Sequence, residues 1–242
     1  MPLIKGDFIL LNYTAKIKET GEIFDTTFEE VAKKEELYKE GEIYEPKLIV
    51  IGEGWVLKPL DESLLSMKLG KSQTVEISPE KAFGQRDPEK VKRVPLKHLI
   101  SKGKNPVLGM RVEYNEKMAI VRSIGAGRVL LDFNPPLAGK TLIYDAVIAE
   151  KITAKKQKVG ALVHRRIPLA DQTKFIITLK ENTLTINMPE DTFYIEGIQI
   201  AKRGIAMDTQ RLLSEISEIN FVETFKSPPK PSEPKKKSAT WI

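Results

Sequence analysis

The sequence predicts an α+β chain built on an antiparallel sheet with one short helix laid across its concave face. Two patterns and one imbalance of charge point there. Residues 51–84, IGEGWVLKPLDESLLSMKLGKSQTVEISPEKAFG, hold the helix: Pro59 suits a first helical position, Asp61 and Glu62 fall in the first turn, Lys68 near the end and Gly70 just past it. On either side, ILLNYTAKI and LIYDAVIAEKIT alternate with the period of a half-buried strand. Charge then divides the 242 residues. Residues 1–84 carry 11 basic against 16 acidic groups, residues 85–134 carry 11 against 5, and the last 17 hold five lysines and one glutamate. An acidic body, a basic middle block and a basic tail imply separate modules.

In chain order, residues 1–26 read as strand, turn and strand, with KETGE turning at Gly21 and IFD resuming the sheet. TTFEEVAKKEELYKEG reads as a short surface helix or lid: Thr27 is its N-cap, Phe28, Val31 and Ala32 form one stripe, and Gly41 is the stop. A solvated loop is the alternative, because short helices are marginal alone. YEPKLIVIG is a strand leading into the helix at Pro59, QTVEI is the strand after it, and SPEKAFG is a turn that aims Phe83 back at the sheet. Residues 85–134 begin with a helical PLKHLIS and a Gly-rich loop. Three strands follow, RVEY, MAIVRSI and RVLLDF, the last two joined by the hairpin residues Gly125-Ala126-Gly127. LAGKTLIYDAVIAEKIT returns as one long strand with Tyr144, Ala146 and Ile148 on one face and Ile143, Asp145 and Val147 on the other.

Lys155–Lys158 reads as a basic linker. KFIITL and TLTINM then pair around Glu181-Asn182, a long helix runs from about Asp191 to Ser217, and NFVETF is a strand. The expected domains are 1–84 with 135–153 as a discontinuous body, 85–134 as an insert, 155–226 as a C-terminal α+β unit, and 227–242 as a disordered basic tail too polar to pack a core.

Composition removes several function classes. With 41% hydrophobic and 30% charged residues the chain is globular. No apolar run approaches the ~20 residues of a membrane span, so no membrane association is expected. There is no cysteine, and the two histidines, His98 and His164, cannot build an imidazole-rich site, so neither a metal nor a cofactor is expected. MPLIKGDF enters a strand at once, without a leader-like apolar stretch, and a cytoplasmic location is expected.

At this point the chain resembles the FKBP-type prolyl isomerases, whose body is a half-barrel antiparallel sheet around one short helix. Four stretches carry the resemblance. GDFILLNYTAKIKETGEIFDTT is similar to the family's opening strands and implies Tyr13, Phe24 and Asp25 as pocket residues. WVLKPLDESLLSMKLG resembles the pocket floor and implies Val56, Leu57 and Leu60; SPEKAFG implies Phe83, and LAGKTLIYDAVI implies Tyr144. The fifty-residue block between the last two, with its RVP and GMRV, resembles the insert-in-flap domain of SlyD-like members, and the unit after residue 155 resembles the extra domain of long archaeal FKBPs. Leu60 stands where most of the family has tryptophan, and Phe83 lacks a hydroxyl. One hydrogen bond, worth about 0.5–1.5 kcal/mol, is therefore lost to a bound ligand, which weakens macrolide binding more than isomerisation. SlyD's histidine-rich tail is absent, so its nickel handling does not transfer.

The resemblance implies catalysis of Xaa-Pro rotation without proton transfer. An apolar cavity of Tyr13, Phe24, Val56, Leu57, Leu60, Phe83 and Tyr144 would destabilise the planar amide relative to its twisted transition state. The Leu57 backbone amide would hold a substrate carbonyl, and Asp25 would orient and stabilise electrostatically. Read singly, Tyr13, Phe24 and Tyr144 are each better explained by core packing, and Asp25 could simply cap the following helix at Thr27; their joint occurrence in family order favours the pocket.

The insert supports a second role. Val107, Leu108, Met110, Val112, Met118, Ile120, Val121, Leu130 and Leu131 are many apolar residues for a fifty-residue block, and flexible Met-containing surface suits promiscuous binding. With the resemblance, Val107, Leu108, Met110, Met118, Ile120 and Leu130 are expected to bind unfolded or nascent proline-containing polypeptides. Arg86, Lys90, Lys92, Arg93, Lys97, Lys102 and Lys104 crowd one end. Only Tyr114 and Phe133 accompany them, so a stacking platform for nucleic acid is lacking and weak ribosome contact is the most they imply. The C-terminal helix, with Ile195, Ile198, Ile200, Ile205, Leu212 and Ile216 around its circumference, is expected to support a homodimer. The expected function is a prolyl isomerase that also acts as a folding chaperone. The alternatives are a holdase with a vestigial pocket and a weak macrolide-binding regulator.

Overall fold

The computed structural model of the chain describes residues 2–227 apart from residues 102 and 104. The tail from 228 onward, Lys102 and Lys104 therefore lie outside the described residues. The chain divides into two compact units, Met1–Thr153 and Ala154–Ile242.

The first unit opens with β1 (Phe8–Ile17), whose odd-numbered residues Ile9, Leu11, Tyr13, Ala15 and Ile17 are buried on one face. β9 (Leu142–Ile152) runs antiparallel along all of β1 and is flanked on its other side by β4 (Ser72–Ile77). The far edge of β1 is shared: β2 (Ile23–Thr26) pairs with its second half and β3 (Lys47–Val50) with its first. On the concave face lies α2 (Lys58–Leu64), with Pro59 at its start, burying Leu60 and Leu64 against the sheet. The helix ends four residues before the expected Lys68. Shorter i→i+3 bonds from Ser66 to Ser63 and from Met67 to Leu64 take over, and Gly70 turns the chain in a left-handed conformation at φ 70°. α1 (Glu29–Lys34) forms in the Glu/Lys-rich stretch, but Thr27 is not its cap. That hydroxyl is buried, donating to Asn12 Oδ1 at 2.8 Å and accepting from the Tyr13 N–H, so it fastens β2 to β1 instead.

The insert is a four-stranded sheet in the order β5-β8-β7-β6, from β5 (Val91–Pro95), β6 (Arg111–Tyr114), β7 (Lys117–Gly125) and β8 (Arg128–Asp132). The β7–β8 turn is the two-residue Ala126-Gly127, both at positive φ (48° and 68°), which matches the twist of the strands it joins. β5 is a strand the sequence did not reveal: VKRVP is charged and ends in proline, a composition tolerated only at a sheet edge, where it sits. α3 (Leu96–Ile100) lays Leu96 and Leu99 on a core of Val94, Val112, Ala119, Val121, Val129 and Leu131.

The second unit packs two helices on a three-stranded sheet ordered β10-β11-β12, with β10 (Ile176–Lys180) antiparallel and β12 (Glu218–Glu223) parallel to β11 (Thr183–Met188). Lys155–Lys158 is not a linker but the first turn of α4 (Lys155–Arg166). Lys155 and Lys156 are exposed, while Val159, Leu162 and Val163 form a buried i, i+3, i+4 stripe that the charge run obscured. The long helix is also shorter than expected. Gly197, left-handed at φ 77°, starts α5 (Ile198–Leu212), and a separate 3-10 turn holds Glu190–Thr192.

Candidate active site

Strands β1, β2 and β9 bring one group of aromatic rings together on the concave face that α2 packs against. The register sets Tyr144 of β9 opposite both Ala15 of β1 and Val75 of β4. Ala15 is small, so the rings of its neighbours meet above it: Tyr13 and Tyr144 lie 5.7 Å apart between centroids, and Phe24 meets Tyr144 edge-on at 6.2 Å. Leu60 closes the floor, and Val56, Leu57 and Trp55 pack half-buried against the same cluster. Phe24 and Asp25 are successive residues of a strand and should point to opposite faces. A bulge in the β1–β2 ladder, where Ala15 pairs with Asp25 but Lys16 with Ile23, leaves Phe24 as the extra residue. That irregularity lets ring and carboxylate both reach the hollow.

Asp25 accepts a hydrogen bond from the Tyr13 hydroxyl at 2.7 Å and does not cap the following helix. Lys47 of β3 completes the group. Its ammonium donates to Tyr13 Oη at 3.0 Å, lies 3.7 Å from Asp25 and sits 5.3 Å from the Tyr13 ring centroid. Burial, then the bond to Asp25, pushes the Tyr13 phenol well above its ordinary range; burial, then the charge of Asp25, pushes Tyr144 up to about 12. Neither phenol gives up a proton near neutrality. At the start of α2, among the described residues no acceptor takes the Leu57 N–H, as befits a group ahead of the first helical turn. The hollow therefore offers apolar walls, one backbone donor and one compensated carboxylate.

Of the eight residues singled out from sequence, Tyr13, Phe24, Asp25 and Tyr144 meet in direct contacts, Leu60 belongs to the same core, and Val56 and Leu57 pack half-buried against it. The eighth, Phe83, stands 43% exposed at the end of its loop, next to Ala82, which packs half-buried against the cluster. Trp55 and Lys47 were not foreseen. Lys47 left one sign in the sequence, a charged residue at the odd position preceding Ile49 and Ile51.

The insert leaves the body through a tight neck. Gly139, at φ 75°, donates its N–H to the Gly84 carbonyl at 2.8 Å; a Cβ there would be strained by the left-handed backbone and would stand 3.0 Å from Arg86 Cβ, pushing it aside. Arg86, the first cation of the basic cluster, turns inward to Asp132 at 2.9 Å, and Arg122 reaches the same carboxylate at 3.1 Å. Asn134 exchanges hydrogen bonds with the Asp87 backbone. Val107, Leu108, Met110 and Met118 are exposed and Ile120 and Leu130 half-buried, whereas Val112, Val121 and Leu131 form the small core. Among the described residues no helix is long and apolar enough to cross a membrane, and no three His, Asp or Glu side chains cluster as metal ligands.

Residues 3–104 match the model of the FKBP-type peptidyl-prolyl cis-trans isomerase family, residues 92–137 that of the FKBP26 IF domain, and residues 155–226 that of the FKBP26 C-terminal region. The chain is 30% identical over 153 residues to a short-type peptidyl-prolyl cis-trans isomerase of Methanocaldococcus jannaschii, covering 63% of this chain and 96% of that protein. It is 29% identical over 147 residues to a probable FKBP-type 16 kDa isomerase of Pseudomonas fluorescens, covering 59% and 87% of the two chains. Over 104 residues it is 28% identical to SlyD of Helicobacter pylori, covering 41% and 56%. With the half-barrel, its crossing helix and the ringed hollow between them, these matches make the chain a member of the FKBP-type peptidyl-prolyl cis–trans isomerase family.

Proposed function

We propose that this isomerase turns over prolyl bonds in the hollow around Tyr13, Phe24 and Tyr144 while its insert holds unfolded polypeptide nearby. Rotation about a prolyl amide faces ~18–20 kcal/mol because conjugation keeps the bond planar. The planar form is the more polar. Walls of Phe24, Val56, Leu60 and Tyr144 strip water from it and favour the twisted, less conjugated amide. The Leu57 N–H holds a neighbouring carbonyl, and Asp25, steadied by Tyr13 and Lys47, faces the rotating bond. Phe83, from its exposed loop, closes over the bound peptide.

The observation that carries this is the convergence of three aromatic rings and a phenol-bound carboxylate on one apolar face, where neither phenol gives up its proton near neutrality. Phe24→Ala and Asp25→Ala test it. A charged hydrogen bond of about 1.5–3 kcal/mol realised at the transition state corresponds to a loss of roughly tenfold to a hundredfold. Both variants are expected to fold and to lose at least about tenfold in exchange rate on a short Xaa-Pro peptide, measured by NMR exchange spectroscopy. Folded variants with wild-type rates would remove these residues from the site.

The chaperone part rests on Val107, Leu108, Met110 and Met118, which stand in water beside a filled core. Their clients are unfolded or nascent proline-containing chains in the cytoplasm, and weak ribosome contact would bring the insert to them. The C-terminal unit serves homodimerisation. Leu169, Ile195 and Ile200 line a groove of about 460 Å³, an apolar face that a second copy would cover.

A further inference from the structure

We propose that Lys47 sets the charge preference of the pocket for residues flanking the substrate proline; this rests on the hollow being the seat of isomerisation. On β3, Lys47 pairs with Leu11 as Ile49 pairs with Ile9, and Ile49 is buried on the concave face. The strand's period of two therefore sends the Lys47 side chain up the same wall, at the place where an apolar residue would continue it. Its ammonium rises beside Tyr13 and stops at the rim, where the Lys47 and Asp25 side chains are 44% and 41% exposed.

Charge is balanced there by pairs. Glu42, whose field reaches Tyr13, lies 3.6 Å from Lys39, and Asp25 lies 3.7 Å from Lys47. An ammonium has three donors. One goes to Tyr13 Oη, and Asp25 at 3.7 Å is beyond hydrogen-bond length. A donor remains for a peptide laid along the hollow. With Lys47 present Asp25 is paired, and the rim holds a cation able to meet a glutamate or aspartate beside the proline. Without it, Asp25 is uncompensated and the rim turns acidic, favouring lysine or arginine. The substrate class preferred relative to a neutral wall is thus the acidic-flanked prolyl bond.

The test is the ratio of kcat/KM for two tetrapeptides, one with Glu and one with Lys before the proline, measured by NMR exchange on the full chain. A ratio within one variant cancels any loss of folded protein. Lys47→Met is expected to lower the Glu/Lys ratio by about twofold to fivefold, the upper part of the range of exposed charge pairs, and Lys47→Glu to lower it further. Lys47→Arg should keep it, and roughly 0.5 M salt should shrink every difference. An unmoved ratio in Lys47→Met, or an equal fall in Lys47→Arg, would overturn the proposal while leaving the isomerase site intact. A wild-type chain that turns over neither peptide would overturn the site itself and this proposal with it.

Discussion

Replacing Asp132 by asparagine should loosen the insert by an amount the neck geometry lets one estimate. The carboxylate is 1% exposed, yet it meets Arg86 at 2.9 Å and Arg122 at 3.1 Å and accepts the Asn134 backbone N–H at 3.0 Å. Burial alone would raise its pKa. The Asn134 amide and backbone donors, then the two guanidinium groups, more than offset that and hold it at about 2. A drop from the ordinary 3.8 to about 2 is worth roughly 2.4 kcal/mol at about 1.4 kcal/mol per tenfold in proton affinity. The guanidinium groups are half exposed, 52% and 44%, and water screens part of this, leaving about 1.5–2 kcal/mol. The folded-state pKa is depressed, so this stability is present above the unfolded value near 4 and is lost as pH falls through about 2.

Hydrogen exchange reads the effect where it acts, whereas one melting point for a chain of several units would blur it. In Asp132→Asn, amides of β7 and β8 such as Val121, which donates to the Met110 carbonyl at 2.9 Å, should exchange about tenfold to thirtyfold faster at pH 6. β1 and β9 amides in the body should be unchanged. On acidification from pH 4 to 2 the wild-type insert should lose about 1–1.5 kcal/mol more than the variant, which lacks the titrating group. Equal protection in both proteins at pH 6, or parallel loss below pH 4, would refute the assignment of the neck's stability to Asp132.

Two further outcomes follow from the modules. Exchanging residues 85–134 for a short Gly/Ser flap should leave the body folded, since the Gly84–Gly139 contact still closes the loop, and short-peptide isomerisation should persist; catalysed refolding of a proline-limited protein should fall by at least about a hundredfold, and equal refolding rates would dismiss the chaperone role. Sedimentation equilibrium should find a dimer for the full chain and a monomer for a chain ending at Thr153, and a full chain still monomeric at tens of micromolar would dismiss the interface on α5.

The body was legible because its signals agree. β1 and β9 alternate cleanly, and Pro59 and Gly70 bracket the helix region even though i→i+3 turns replace its last part. What stayed hidden lay where polar composition masked order. β5 is an edge strand of lysine, arginine and proline, and α4 opens with three lysines in its first four residues before its buried stripe begins. At the site, the aromatics could be named from their order, but the means by which Phe24 and Asp25 share one face could not. A bulge is a property of two strands' register, and no single stretch encodes it. Lys47 escaped for the opposite reason. Its charge marked it as surface, while its register with Leu11 turned it toward the pocket.

The proposed joining of a client-holding insert to such a pocket has a quantitative logic. Uncatalysed prolyl exchange takes tens of seconds or longer, and a desolvating hollow has few strong contacts with which to retain a particular proline in a long chain. A tethered surface that holds the client elsewhere raises the effective concentration of its prolines at the hollow to about the millimolar range, provided the span is right. The neck fixes that span: Gly139 lets the two chains touch, Asn134 locks to Asp87, and Asp132 gathers Arg86 from the chain leaving the body and Arg122 from the insert sheet. On this proposal the cost of breaking the neck should appear with protein substrates far more than with peptides, because a tetrapeptide cannot engage both surfaces at once. Binding strength on the insert and rotation in the pocket can then vary independently, with the buried carboxylate between them setting how far the two act on one client.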